Sequence, residues 1–533
     1  MSKYITADKS QYRVGDEVAL LSGSPLSGLV EIFHQGKVVK TINADESGER
    51  FLLGEFPVGG YWVKTEVGTT AFDVVDDLNQ YVRYGFLSDF NPEDCQDRSD
   101  VVQMNRYHIT SVQFYDWMYR HHQLIPNTDV FKDALNRPVY LPAVRSKIDL
   151  CHEFGMKAIA YGAIYGAEEE YFGVHQDEIL YKDEKAKYDL IDIIAIMNTE
   201  ADCSWTKHII QEFADAIQVM DFDGIHMDQY GFPKYAKTMD GRVVDVGGTF
   251  APFIDAAKVA VDGVKTPNQM FFNCVNNWPI ERVADSLMDA VYIEVWDPHS
   301  TYRHLHQLVR ESRMLTADKP IVLSAYIHPF NQEVSEEEKE TAALLTMATI
   351  FSSGGTHLLL GETDGALAEA YYVNHGKYQE SFRDELAWYY DCITAYEEWL
   401  LDPSVMDLTG YFVGGINEEL MVKNYPYSGE YAPEKIHVQL TRKQDIYMVQ
   451  LVNMLGVKDD TWNAPHMRPL EASDVVVELM IHDEIESIVV ISPDVDLEPL
   501  ELDFSYVEHS QGKALRFVVP KLEIWDIVLI KLQ

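Results

Sequence analysis

DGIHMDQYG, residues 223–231, reads as a short strand with two unlike faces. Gly224, His226 and Asp228 share one side by the two-residue period, while Ile225 and Met227 share the other. Seven further apolar runs have the same character: YGFLSDF (84–90), SVQFYDW (111–117), MKAIAYG (156–162), MFFNCV (270–275), VYIEVW (291–296), IVLSAY (321–326) and HLLLGE (357–362). Helix-length amphipathic segments separate them. Ile209, Phe213, Ala216, Ile217 and Met220 form one helical stripe, and Phe250, Phe253, Ile254 and Ala257 another. Ser335 with Glu338 is a capping box that opens a third helix, which must end near Gly354 and Gly355. Eight strands alternating with helices predict a (β/α)8 TIM barrel over residues 81–401, with IDIIAIMN (191–198) as an extra strand.

The flanks follow another rule. Residues 1–80 alternate apolar and polar positions between glycine-rich turns, with strands expected over 17–21, 29–33, 38–42, 61–67 and 71–75. Residues 402–533 lose helical periodicity and suggest strands over 445–452, 475–480, 487–491, 500–504, 514–519 and 526–532. The expected architecture is multidomain, a barrel between an N-terminal Ig-like β-sandwich and a C-terminal β-sandwich.

Of the 533 residues 47% are apolar, and 43 Lys and Arg face 86 Asp and Glu, a formal charge of −43. So acidic a chain is a poor partner for nucleic acid or for an anionic membrane. No window approaches about 18 uninterrupted apolar residues. The N-terminus lacks the pattern of a secretory signal, so the expected compartment is the cytoplasm, the alternative being secretion with the signal removed. Five cysteines without CxxC spacing suggest neither a disulfide framework nor a zinc site.

In such a barrel the reacting groups stand at the C-terminal ends of strands. Asp228 ends the fourth run and Glu294 the sixth, with only the fifth strand between them. Strands lie about 4.8 Å apart, so two carboxylates leaning inward can close to roughly 5 to 6 Å, the spacing of a retaining glycosidase pair. Tyr292 and Trp296 flank Glu294 and would desolvate it, and the charge of Asp228 would favour its protonated form. Glu294 is therefore expected to be the general acid/base and Asp228 the nucleophile. Each also has a plainer reading as a barrel-rim carboxylate in a salt bridge.

Aromatic and polar side chains crowd the same strand ends. Trp117, Tyr165, Trp296 and Tyr326 offer faces for sugar rings, and Asp116, His226, Asn277, Asp297 and Glu362 offer hydroxyl partners. This chemistry requires neither cofactor nor metal. His121 and His122 lack helix-face metal spacing, and no HExxH, P-loop, GxSxG or dinucleotide fingerprint occurs.

RYGFLSDF, SVQFYDWMYRHH, FDGIHMDQYG, YIEVWDP and the Gly354–Gly355–Thr356–His357 segment together resemble glycoside hydrolase family 66, the dextranases and cycloisomaltooligosaccharide glucanotransferases. The resemblance covers the barrel and agrees with the domain order. It implies an α-1,6-glucan or isomaltooligosaccharide substrate and a retaining double displacement, with Asp228 as nucleophile and Glu294 as acid/base. Asp116, Trp296 and Asp297 fall at positions similar to glucose subsites of the family. Cyclising members are known for a carbohydrate-binding module inserted in the catalytic domain, and the spacing between the seventh and eighth runs leaves no room for one. The expectation is thus a dextranase-like hydrolase. The alternatives are an α-1,6-glucan transglycosylase or cyclising glucanotransferase, a non-catalytic glucan-binding protein, and a barrel hydrolase of another linkage preference.

Overall fold

The computed structural model describes residues 5–44, 48–183, 186–370, 375–495 and 497–533. At its centre eight parallel strands pair in chain order: β1 (Tyr84–Leu87), β2 (Ser111–Phe114), β3 (Lys157–Ala163), β4 (Gly224–Asp228), β5 (Gln269–Asn273), β6 (Ala290–Glu294), β7 (Ile321–Ser324) and β8 (Thr356–His357). Helices follow them in turn: α1 (Ser99–Arg106), α2 (Leu141–Glu153), α3 (Ser204–Met220), α4 (Gly247–Asp262), the single-turn α5 (Ile280–Val283), α6 (Tyr302–Thr316), α7 (Glu336–Ser352) and α8 (Phe382–Ala395). The sheet is a nearly closed barrel. At its seam β8 and β1 share no ladder, but the Thr356 hydroxyl donates to the Val82 carbonyl at 2.8 Å.

The two-residue period separates two cores. Tyr84, Ile159, Phe271, Tyr292, Val322 and Leu358 fill the barrel, whereas Ile225, Met227, Ile293 and Leu323 pack outward with the helices. Each of the eight apolar runs overlaps one barrel strand. β8 has only two residues, Thr356 and His357, and only His357 lies within its run. Ser335 accepts from the Glu338 N–H and caps α7 as the capping box requires. The extra strand is Ile194–Ile196, antiparallel to Gly166–Ala167 and Asp189–Leu190 within the β3–α3 connection.

On the N-terminal side a three-stranded and a five-stranded sheet share one core, in which Val18 and Leu20 meet Val30, Ile32, Val63 and Phe72. On the C-terminal side a seven-stranded and a four-stranded sheet enclose Val438, Val449, Val477, Phe517 and Val528. The sequence missed the strands Ile5–Ala7, Arg50–Gly54, Leu420–Val422 and Ile436–Lys443. The last was hidden because its polar alternate positions, His437, Gln439 and Thr441, are buried too.

Arg83 ties the N-terminal unit to the barrel. Its fully buried guanidinium pairs with Asp73 at 2.9 Å and Glu397 at 3.0 Å and also donates to the carbonyls of His108 and Ser10. Arg83→Met leaves two carboxyls without a counter-charge in a dry interior, so it is expected to cost about 3–5 kcal/mol, read as a lower midpoint in chemical denaturation.

Candidate active site

β4, β5 and β6 end together at the C-terminal mouth of the barrel, and their last residues are Asp228, Asn273 and Glu294. The side-chain amide of Asn273 spans the acidic pair. Its Nδ2 donates to Asp228 Oδ1 at 2.7 Å and to Glu294 Oε2 at 3.2 Å. One nitrogen that close to both oxygens holds them less than about 6 Å apart, which matches the spacing expected from the strand geometry. The outer oxygens have partners of their own: Tyr161 donates to Asp228 Oδ2 at 2.8 Å and Tyr326 to Glu294 Oε1 at 2.9 Å. Both tyrosines stay protonated, since burial pushes each well above the ordinary phenol range. The Trp296 side chain gives Glu294 a further hydrogen bond.

Burial raises the pKa of both carboxyls, and for Asp228 the charge of Glu294 adds to it, bringing Asp228 up to about 7. The desolvation expected of Glu294 is present. The repulsion between the two charges is mutual, so each carboxylate favours the protonated form of the other. The two titrate as a pair that shares one proton near neutrality. Asn273 and the two tyrosines oppose the rise by stabilising the charged forms.

Asn273→Ala removes a hydrogen bond from each carboxylate, a loss of about 1.5–3 kcal/mol for a charge-assisted contact. Both pKa values then rise. The acid limb of the kcat/KM profile is expected to move to higher pH by about one unit or more, and the fall above pH 7 to move the same way.

Of the other residues expected at the site, several stand at or beside the mouth. Trp296 is half-buried with its ring 6.2 Å from that of Tyr326, and Asp297 is exposed. Asp116 is buried against Arg137, whose Nε also holds Asp133 at 2.7 Å. Glu362 bonds His375 and the backbone N–H groups of Ser88 and Asp89. Burial opposes its ionisation, but His375 and the N–H donors prevail and bring it down to about 2.

Four others are placed differently. Trp117 is wholly buried, with its indole N–H on the Tyr161 carbonyl and its ring 4.7 Å from Phe222, so it is core and not a sugar platform. Tyr165 is equally buried; it donates to the Phe232 carbonyl and accepts from Tyr230 N–H, pinning the loop after β4. Asn277 bonds the Leu308 carbonyl, Glu311 and Ser312, and so ties the loop after β5 to α6. His226 lies inside the barrel with Tyr84 at 3.2 Å, and burial lowers its pKa to about 3, which makes it a neutral floor beneath Asp228. Position at a strand end does not distinguish a side chain that turns into the opening from one that fastens the loop.

Asn273 was overlooked, although the asparagine of MFFNCV stands at the same strand-end position as the two acids. Arg137 and Glu168 also went unnoticed. Glu168 accepts Nδ1–H bonds from both His121, at 2.6 Å, and His122, at 2.8 Å, which gives the HH pair a partner.

A parallel barrel with two half-buried carboxyls meeting at its C-terminal mouth is the framework of a glycosidase-type enzyme. The chain belongs to glycosyl hydrolase family 66, whose sequence profile matches residues 62–529. A cycloisomaltooligosaccharide glucanotransferase of Niallia circulans is 23% identical, aligned over 99% of this chain and 71% of that protein. A second of the same name and organism is 24% identical over 89% of this chain and 64% of its own length, so the chain spans less than two thirds of that relative. Among solved structures, a Paenibacillus sp. cycloisomaltooligosaccharide glucanotransferase complexed with cycloisomaltoheptaose superposes with a TM-score of 0.89 at 21% identity, covering 99% of both chains. A maltogenic α-amylase of Thermotoga neapolitana has a TM-score of 0.52 at 11% identity, over 86% of this chain and 100% of its own.

Proposed function

We propose that the protein is a retaining α-1,6-glucan transglycosylase that acts on isomaltooligosaccharides, with Asp228 as nucleophile and Glu294 as general acid/base. The observation that carries this reading is the single amide of Asn273 bonded to both carboxylates, because a gap that narrow suits direct attack on the sugar and leaves little room for an inverting water. The shared proton supplies one attacking carboxylate and one acid. An electron-poor anomeric carbon beside Asp228 draws the negative charge there, so the proton resides on Glu294 when substrate is in place. Asp228 then forms a bond to C1 as the C1–O6 bond breaks, and Glu294 delivers its proton to the departing O6. In the second half an acceptor hydroxyl gives its proton to Glu294 and attacks C1, which releases Asp228.

The acceptor decides between transfer and hydrolysis. The sequence favoured hydrolysis, yet the relatives just described carry the name of a glucanotransferase, and one holds a cyclic isomaltooligosaccharide in its crystal. Their support makes a glucan hydroxyl, intermolecular or from the same chain, the preferred acceptor. The flanking regions 1–80 and 402–533 are read as β-sandwiches bracing a barrel domain of 81–401.

Product analysis on isomaltooligosaccharides tests the acceptor. Transfer redistributes chain lengths with a constant number of reducing ends, and cyclisation keeps that number too while adding products that have no end. Hydrolysis adds one reducing end per cleavage and would replace this reading with the dextranase one.

A further inference from the structure

At the opposite end of the barrel from Asp228 a cavity of about 290 Å³ lies between the C-terminal ends of α6 and α7 and the strand Ile436–Lys443 of the C-terminal region. On that strand Val438 and Leu440 enter the C-terminal core, whereas Gln439 and Thr441 line the cavity. Gln439 is 3% and Thr441 4% exposed, and neither Gln439 Oε1 nor the Thr441 hydroxyl has a hydrogen-bond partner. Such groups are costly to bury unless something fills the space beside them.

The charged side chains on the wall already have partners. Arg313 donates to the carbonyls of Gly354, Leu401 and Asp402, and Arg310 pairs with Asp407 at 3.2 Å. Both guanidinium groups are turned to these partners, and the unmet need in the cavity is that of Gln439 and Thr441, which neutral O–H groups satisfy. Trp399, Leu400 and Pro403 give the same cavity an apolar side, and Met314, 80% exposed, stands on its lining where it reaches solvent. The volume equals about ten waters.

We propose that this cavity is a second carbohydrate site that accepts one neutral pyranose ring at the end of a glucan chain. Ring hydroxyls donate to Gln439 and Thr441 while the C–H face packs on the apolar side. The choice of an α-1,6-linked chain rests on the proposed substrate; the cavity with its unpartnered polar groups does not. A glucan held here stays near the enzyme without touching the reacting pair.

Crystals of Asp228→Asn protein soaked with isomaltotriose score the two places separately. Sugar density beside Gln439 and Thr441 is expected whether or not the cleft between residues 228 and 294 is filled, so an empty cleft would count against the proposed reaction and leave this site standing. Isothermal titration of the same protein with isomaltotriose is expected to give two sites per chain, falling to one in Asp228→Asn/Thr441→Val or Asp228→Asn/Gln439→Leu. In the otherwise native enzyme the same cavity substitutions are expected to leave turnover of isomaltotriose unchanged and to slow that of long dextran severalfold. Water alone in the cavity, or a titration count that the cavity substitutions leave unchanged, overturns the proposal.

Discussion

Asp228→Asn is expected to lower turnover of isomaltooligosaccharides by about 10⁴-fold or more, the scale on which loss of a nucleophile is felt in enzymes whose catalytic groups act as a unit. The amide has nearly the shape of the carboxylate and keeps Tyr161 and Asn273 within reach, so folding and substrate binding should be close to native. What disappears is the oxygen able to bond to C1. The substitution also removes one member of the proton-sharing pair. Glu294 then titrates alone without a neighbouring negative charge to hold its proton, so the alkaline fall in rate should move to lower pH in whatever activity is left. A glucan-binding protein without catalysis would show no change in turnover, because it would have none to lose.

Glu294→Gln is expected to cost about 10²–10⁴-fold on natural glucans, the range general acid–base catalysis contributes. The loss should depend on the leaving group, which distinguishes this residue from Asp228. A glucoside whose leaving group departs without a proton has no need of an acid in the first half of the reaction, so its Asp228 ester should form at a near-native rate and accumulate. An added anion such as azide needs no base to attack that ester and should restore turnover, yielding a glucosyl azide of retained configuration. Asp228→Asn should respond to neither, since no ester forms. If the dependence on leaving group appeared in Asp228→Asn and not in Glu294→Gln, the two roles would be exchanged.

The barrel was legible because its strands must be apolar on both faces and must recur with helices between them, a pattern that eight separate runs repeat. Strand-end position alone brought out Asp228 and Glu294. Their relation did not come out as fully, since Asn273 is an amide among many polar residues near turns and only the closed cylinder carries it between the two acids. Trp117, Tyr165 and Asn277 show the converse. Each has the composition of a sugar contact, and each is spent on the Tyr161 carbonyl, the β4 loop or α6. The strand Ile436–Lys443 escaped notice for a related reason: its polar positions face the barrel instead of water, so alternation did not mark an exposed side. The donors that each carboxylate meets come from β3, β5 and the loop after β7, far apart in the chain.

The anomeric configuration of the first products, followed by proton NMR before mutarotation, tests the paired-carboxylate mechanism most directly. With an isomaltooligosaccharide as donor, the newly formed glycosidic bond should carry the α configuration, and any end released to water should appear first as the α-anomer, because two displacements at C1 restore the original configuration. A β-anomer appearing first would mean that a water or acceptor enters opposite the departing oxygen in one step, and Asp228 and Glu294 would then not work across the gap that Asn273 spans.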